Sequence, residues 1–260
     1  MQEHMTPHWQ ENAFNLLGVQ IHPLNKRELL DFILGSCQEK SRKILAGANA
    51  FAMNLAYETP WYKQFMNDSD LVYCDGIGVK WAAALIGRSV PVRLTHLDWI
   101  FDLFHICEQH QLSLYLLGGT EKNAAMAKQQ MRANYPGIPA VYSQHGYFDK
   151  DLDSPENRAV VAQINAAKPD IIFICFGMPL QEKWLIENWE NLNVSVAIPG
   201  GATIDYISGE VERVPDFFVK YQVEWLGRLL REPKRLWKRY IIGNPLFLLR
   251  VIYHELLKLG

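Results

Sequence analysis

Short apolar runs alternate with longer stretches of helical period along most of the chain. Residues 14–21, 43–48, 71–74, 112–120 (as far as the glycine pair), 139–143, 170–176 and 194–198 each read as strands. Between them, Asn25-Lys26-Arg27-Glu28 is a capping-box pattern that opens a helix through about Cys37. Further helices are expected after Asn49, from Pro60, over 79–86 with Gly87 as the stop, over 99–107, over 122–134, near 157–167, and from Pro179 onward. Residues 1–12 are polar and read as a frayed end. The run 170–176 is apolar almost throughout, as befits a parallel strand covered on both faces. Strands alternating with helices, with glycine and polar residues at the strand carboxyl ends, predict an α/β fold: a Rossmann-like, mostly parallel sheet with flanking helices. After Ile207 the pattern changes. Basic residues mix with tryptophans, and an apolar run over 246–257 follows, which predicts a C-terminal helical basic appendage. The expected division is therefore a core over 1–207 and an appendage over 208–260, with the core remaining folded if the chain is cut after Ser208.

With 260 residues, 49% hydrophobic and 21% charged, the chain has the composition of an ordinary soluble globular protein. A net charge of −2 argues against nucleic acid as a partner. The charge is uneven, however. Residues 213–250 carry nine Lys/Arg against three Asp/Glu, a net of +6, which leaves −8 on the remainder. Such asymmetry points to an anionic partner for the C-terminal part. Cys37, Cys74, Cys107 and Cys175 lie far apart in apolar surroundings and read as buried free thiols of a reducing compartment. The first residues lack a secretory pattern, and no apolar run approaches the ~18 residues of a membrane span.

The chemistry centres on Asp75, a carboxylate at the carboxyl end of a strand, where open α/β sheets bind ligands. Its competing role is to cap the helix that follows. Gly118-Gly119 between a strand and a helix makes a ready anion site, although a tight turn would need the same residues. Arg228, Arg231, Arg235 and Arg239 step by three or four and share one helical face if Pro233 is tolerated near a helix start. Together with Trp225, Trp237, Tyr240 and Phe247 they read as a membrane-surface element, the plainer alternative being a helical pair packed on the sheet. Asp68-Ser69-Asp70 and Asp151-Leu152-Asp153 lie before a strand and in a polar loop, so solvated turns are expected there rather than a metal site. His145 has no ligand partners at metal spacing and reads as a loop histidine bonded to substrate or backbone. A nucleotide-binding oxidoreductase would want GxGxxG after the first strand and an acid about 20 residues on, and neither is present. A non-catalytic membrane scaffold is a third class, disfavoured by the intact Asp75, Arg93 and Gln181.

Taken together and in order, several blocks resemble the WecG/TagA/CpsF family of bacterial glycosyltransferases, over about residues 15–247. They are Asn49 after a strand; Asp75-Gly76-Ile77-Gly78-Val79; Arg93-x-Thr95-x-x-Asp98; Leu117-Gly118-Gly119; His145-Gly146-Tyr147-Phe148; Pro169-Asp170; Gly177-x-Pro179-x-Gln181-Glu182; Gly200-Gly201; Glu224-Trp225-Leu226-x-Arg228-Leu229; Glu232-Pro233-x-Arg235; and Arg239-Tyr240. The resemblance implies an inverting, metal-independent transferase that needs no cofactor. It would move a sugar from a UDP-sugar to a polyprenyl-pyrophosphate-linked sugar, in cell-surface polysaccharide, teichoic acid, capsule or exopolysaccharide synthesis. It places the chain in the cytoplasm, peripheral on the inner face of the membrane, and is compatible with a homo-oligomer.

By the same resemblance Asp75 is the base, with Asn49, Arg93 and Gln181 beside it. Thr95, Gly118, Gly119, His145, Tyr147, Gly177, Gln181, Glu182, Gly200 and Gly201 line the UDP-sugar pocket. Arg228, Arg231, Arg235, Lys238 and Arg239 meet the acceptor pyrophosphate and the anionic membrane surface. The chemistry suits these residue types. One carboxylate takes the acceptor proton, while glycine-loop amides, a helix N-terminus and Arg93 offset the charge of leaving UDP. Gln181 can donate to and accept from sugar hydroxyls, its plainer reading being an exposed first-turn residue. The sequence departs from the family pattern at Gly47 and Phe51, where Thr and an acid are usual, and at His96, where Gly is usual. The donor is accordingly left between an N-acetylmannosamine-type sugar and a hexose such as glucose.

Overall fold

The computed structural model describes residues 8–258. In chain order it runs α1 (His8–Glu11), β1 (Phe14–Leu16), β2 (Val19–Ile21), α2 (Lys26–Gln38), β3 (Lys43–Ala48), α3 (Ala50–Glu58), α4 (Pro60–Asp68), β4 (Leu71–Cys74), α5 (Ile77–Leu85), α6 (His96–His110), β5 (Leu114–Gly118), α7 (Glu121–Asn134), β6 (Val141–Gln144), α8 (Pro155–Ala167), β7 (Ile171–Cys175), α9 (Leu180–Asn188), β8 (Val196–Pro199), α10 (Thr203–Ile207), α11 (Asp216–Lys220), α12 (Glu224–Arg231), α13 (Pro233–Trp237), a π-helical turn (Lys238–Ile242) and α14 (Gly243–Lys258). The strand order is β4-β3-β8-β7-β5-β6. The pairs β3–β8, β8–β7, β7–β5 and β5–β6 are parallel, as the strand–helix alternation predicts. The buried strands β4, β5, β7 and β8 show no inside–outside alternation, the mark of a sheet covered on both faces.

Three expectations need correction. The run 14–21 is not one strand but the antiparallel hairpin β1–β2. Leu17 (φ 51°) and Gly18 (φ 86°) both take the left-handed conformation of a two-residue hairpin turn, and Asn15 Oδ1 accepts the Gly18 amide at 2.9 Å. Leu17 in the first turn position hid the turn within an apolar run. The frayed end does not extend to residue 12. His8–Glu11 is a helical turn whose Trp9 is buried edge-on to His22, ring centroids 5.4 Å apart; residues 1–7 of that stretch lie outside the described residues. Nor do the C-terminal arginines share one continuous helical face. Pro233, which lacks an N–H and collides with the turn before it, starts α13 afresh after Glu232 (φ −132°), and the chain then passes through the π turn.

The chain folds into two compact units. The first comprises Met1–Lys26, Gly47–Thr95 and Arg213–Gly260. Leu16, Ile21, Leu24, Tyr62, Tyr73 and Phe247 are among its fully buried side chains. His22 belongs here too. Burial pulls it below its ordinary value of 6.5, and its Nδ1 accepts the Val72 amide at 2.9 Å, tying the hairpin to β4. α14 packs on α3 and α5, with Phe247 against the Cα side of Gly78. Asn54 Nδ2 donates to the Gly243 carbonyl at 2.8 Å, while Arg250 reaches Asn54 Oδ1 at 2.8 Å and Glu58 at 2.5 Å. From Arg213 on, the segment that composition sets apart is thus built into the core of this unit. A core that stays folded after a cut at Ser208 is not compatible with that packing.

The second unit comprises Arg27–Ala46 and His96–Glu212. Trp99, Phe104, Phe173 and Trp184 fill its core. The four cysteines are free and buried, as expected. Burial pushes the thiols of Cys37, Cys74 and Cys175 up to about 12, so none of these three is poised as a nucleophile.

Candidate active site

In the first unit, β4 ends at Cys74 and delivers Asp75 to the strand's carboxyl end. The Asp75 amide donates to the Ala48 carbonyl at 2.9 Å. Asp75 does not cap the next helix. α5 starts one residue later, with Gly76 in the cap position and no side-chain cap bond. The carboxylate is held instead by Asn49, whose Nδ2 donates to Asp75 Oδ2 at 2.8 Å. Asn49 is itself the cap of α3, its Oδ1 accepting the Phe51 and Ala52 amides at 3.1 Å each. Those two bonds fix which end of the amide faces Asp75, and they set the positive end of the α3 dipole beside the carboxylate.

The loop carrying Arg93 and Thr95 is pinned to the same strand end, because the Leu94 amide donates to the Cys74 carbonyl at 2.8 Å. Arg93 is nearly buried and donates to Glu224 Oε1 at 2.9 Å; Arg213 meets the same oxygen at 2.9 Å. Arg239 is half-buried, with its Nε enclosed. Its guanidinium lies 4.5 Å over the Phe51 ring, and its Nε has no partner among the described residues. Burial, above all, pulls Arg239 below its ordinary value; Arg228 and Arg235 push the same way, whereas Tyr240 and Asp75 oppose them. The other C-terminal cations differ. Arg235 is exposed and paired with Glu232 at 2.6 and 2.8 Å, Arg231 reaches the Arg213 carbonyl at 3.4 Å, and Lys238 lies over Trp237.

In the second unit, Gly118, Gly177 and Gly200-Gly201 lie at the carboxyl ends of β5, β7 and β8. Gly118 (φ 141°) abuts the Cys175 backbone so closely that any Cβ would overlap the carbonyl oxygen, so only glycine fits. The Gly146 amide donates to the Gly119 carbonyl at 2.9 Å, and Thr120 caps the 14-residue α7 by accepting the Asn123 amide at 3.1 Å. His145 Nδ1 accepts the Tyr147 amide at 3.2 Å, which leaves Tyr147 exposed. Lys150 donates to the Gly146 and Phe148 carbonyls and lies 4.5 and 4.7 Å from the Phe148 and Phe176 rings, bracing this loop.

Gln181 is 2% exposed, which sets aside the exposed first-turn reading. Its Oε1 accepts the Gly177 and Gly201 amides at 3.1 and 3.0 Å, and its Nε2 donates to buried Glu182 at 2.9 Å. One side chain therefore holds two glycine loops in place. Gln181→Ala strips partners from two amides and leaves a void. The expected cost is about 2–4 kcal/mol of stability, read as a lower denaturant midpoint with an unchanged m-value.

The site residues thus gather as two constellations. Asp75, Asn49, Arg93, Thr95 and the C-terminal cations belong to the first unit; Gly118, Gly119, His145, Tyr147, Gly177, Gln181, Glu182, Gly200 and Gly201 belong to the second. The sequence showed Glu224 only as part of a motif block, with no role assigned, and gave no signal for Lys150. The loop aspartates are committed to turns, since Asp149 and Asp151 carboxylates each accept the amide two residues on, at 3.1 and 3.0 Å.

The model of the glycosyl transferase WecG/TagA/CpsF family matches residues 14–259. A similar protein from Bacillus spizizenii, named N-acetylglucosaminyldiphosphoundecaprenol N-acetyl-beta-D-mannosaminyltransferase, is 27% identical over 246 residues, covering 91% of this chain and 93% of its own. A Staphylococcus aureus protein of the same name is 26% identical over 239 residues, covering 91% of each chain. With the family model spanning nearly all of the sequence, and with the motif blocks standing at strand ends of a parallel α/β sheet, the chain belongs to the WecG/TagA/CpsF family of glycosyl transferases.

Proposed function

We propose that this chain transfers a sugar, with inversion, from a UDP-sugar to a polyprenyl-pyrophosphate-linked sugar in cell-surface polysaccharide synthesis. The observation that carries this reading is the Asp75 carboxylate. It stands at a strand end, is oriented by Asn49 and is not spent on capping a helix. Asp75 takes the proton of the acceptor hydroxyl as that oxygen bonds to the anomeric carbon; the bond to the UDP oxygen breaks, and the configuration inverts. Backbone amides at Gly118-Gly119 and the N-terminus of α7 suit the negative charge of departing UDP. Arg239, half-buried with an enclosed, unpartnered Nε and within the field of Asp75, suits the acceptor pyrophosphate. In this reading the reaction runs without a metal; the Asp149 and Asp151 carboxylates each accept the backbone amide two residues on, as turn residues do.

The relatives' names supply N-acetylmannosamine and a diphosphoundecaprenol-linked N-acetylglucosamine as the pair to try first. Gly47 and Phe51, close to Asp75 and to Arg239, keep glucose as the second donor, for a glucosyltransferase of exopolysaccharide assembly. Among the described residues no helix is long and apolar enough to cross a membrane. α14 nevertheless leaves Leu246, Leu249, Ile252, Tyr253 and Leu257 exposed, and exposed Lys234, Arg235 and Lys238 precede it. That combination suits peripheral docking on an anionic cytoplasmic leaflet.

The test is UDP release by the full-length chain. A panel of UDP-sugars would be offered with a short-chain polyprenyl-pyrophosphate-N-acetylglucosamine, with and without exhaustive chelation, and with anionic vesicles at low and high salt. One donor should turn over, with chelation harmless and vesicle binding reversed by salt. No turnover with any UDP-sugar, or a loss restored only by manganese or magnesium, would sink the reading.

A further inference from the structure

We propose that Phe51 is a positioning residue for Arg239: its ring holds the guanidinium while spending none of its N–H groups, so that they stay open to the pyrophosphate of the acceptor. The inference rests on the acceptor reading given above. Phe51 is the second residue of α3, and its amide is fixed by Asn49 Oδ1 at 3.1 Å. The same Asn49 holds Asp75 through its Nδ2. The ring is therefore mounted on the turn that also grips the carboxylate. Arg239 Cζ lies 4.5 Å from the Phe51 ring centroid, inside the ~6 Å reach of a cation–π contact; the Tyr240 ring is farther, at 5.8 Å. Among the described residues no hydrogen bond or ion pair engages the Arg239 side chain, and its enclosed Nε has no partner. α3 fixes the backbone of this segment as well. One turn on from Phe51, Asn54 donates to the Gly243 carbonyl at 2.8 Å, and the Gly243 amide bonds back to the Lys238 carbonyl, closing the π turn that carries Arg239. One helix thus sets both the backbone of Arg239 and the ring its side chain meets.

A guanidinium has five N–H donors in its plane. A carboxylate partner would bind two of them and cancel the charge. An aromatic face attracts the cation through the ring quadrupole and binds none of them. Arg228 and Arg235 add positive potential around Arg239, and the carboxylate that acts on it is Asp75. The result is a partly enclosed cation with donors to spare. A diphosphate, with several oxygens on adjacent phosphorus atoms, completes such a fork bidentately. A pyrophosphate held there lies within the field of Asp75, the group that must reach the adjoining sugar.

Phe51→Leu keeps an apolar side chain and removes the ring face. In the full-length chain, the dissociation constant for a short-chain polyprenyl-pyrophosphate-N-acetylglucosamine, measured without donor, should rise roughly threefold to fivefold. The acceptor KM should rise in step, with kcat at saturation and the affinity for UDP each within about twofold and partition onto anionic vesicles unchanged. Phe51→Tyr keeps the face and should restore the wild-type affinity. In an Arg239→Gln background, Phe51→Leu should add nothing. A role in packing alone would lower the melting temperature without touching acceptor affinity, and its effect would not depend on Arg239. Should Phe51→Leu melt early, Phe51→Met gives the same comparison. Unchanged acceptor affinity, or losses that add fully in the double variant, overturns the proposal. So does a loss of UDP affinity equal to the acceptor's, which would assign the guanidinium to the donor, or a matching loss of vesicle binding, which would assign it to lipid headgroups. A wild-type chain that fails to bind the pyrophosphate acceptor sinks the acceptor reading and this inference with it. If wild type binds the acceptor and its affinity ignores the ring, only the role of Phe51 fails.

Discussion

Asp75→Asn lowers turnover by at least roughly 10²-fold while leaving the fold and donor binding in place. The expectation follows from what the substitution keeps. The substituted side chain still offers an oxygen to Asn49 Nδ2, so the 2.8 Å bond can persist. The amide's size matches the carboxylate's, and the backbone bond from residue 75 to Ala48 is untouched. What is lost is the ability to accept a proton. Single-turnover kinetics with saturating donor, together with a binding isotherm for UDP, separate the two effects. If the variant retains more than about a tenth of wild-type activity, general-base help from Asp75 is too small to be the mechanism. A UDP affinity that falls in step with kcat would show the residue to be a ligand-binding group instead.

The second large effect is on folding. Ending the chain after Ser208 removes Leu236, Tyr240, Phe247 and Val251, all buried in the first unit. At roughly 2 kcal/mol for each such side chain, the loss is about 8 kcal/mol, comparable to the whole net stability of an ordinary domain. Arg93 also loses the Glu224 carboxylate. The shortened chain should therefore aggregate or melt without cooperativity, and the amides of α3 and α5 should lose their hydrogen-exchange protection. Arg235→Ala is the matched control. Its pair with Glu232 is exposed, so stability should move by no more than about 0.5 kcal/mol. A soluble 1–208 fragment with a sharp melting transition would refute this account of the C-terminal helices.

These outcomes bear on how far the amino-acid sequence speaks for itself. Strands such as β4 and β7 are legible because a buried parallel strand leaves an apolar run that stops at Asp75 or Gly177. The helix breaks at Pro60 and Gly87 are legible because those residues restrict or free the backbone. Burial of polar groups is not legible. Gln181 looks like any first-turn glutamine until the loops around Gly177 and Gly201 are seen to close on it. The arginine stripe misled because helical spacing was counted across Pro233, where the helix restarts. Even so, Asn49 and Asp75 were already visible as polar residues ending adjacent runs; their mutual bond needed coordinates.

Neither compact unit is a contiguous stretch. The chain passes from one to the other after Lys26, Ala46, Thr95 and Glu212, and β3 itself is divided between them. A single crossover between two family members, placed anywhere from residue 27 to residue 212, would therefore give a chimera in which at least one unit mixes two parental cores. Recombination by blocks is a poor way to vary donor choice in such a chain. Variation is better sought in point-substitution libraries at positions 47 and 51, which lie beside Asp75 and under the stacked guanidinium of Arg239 without belonging to any exchangeable module.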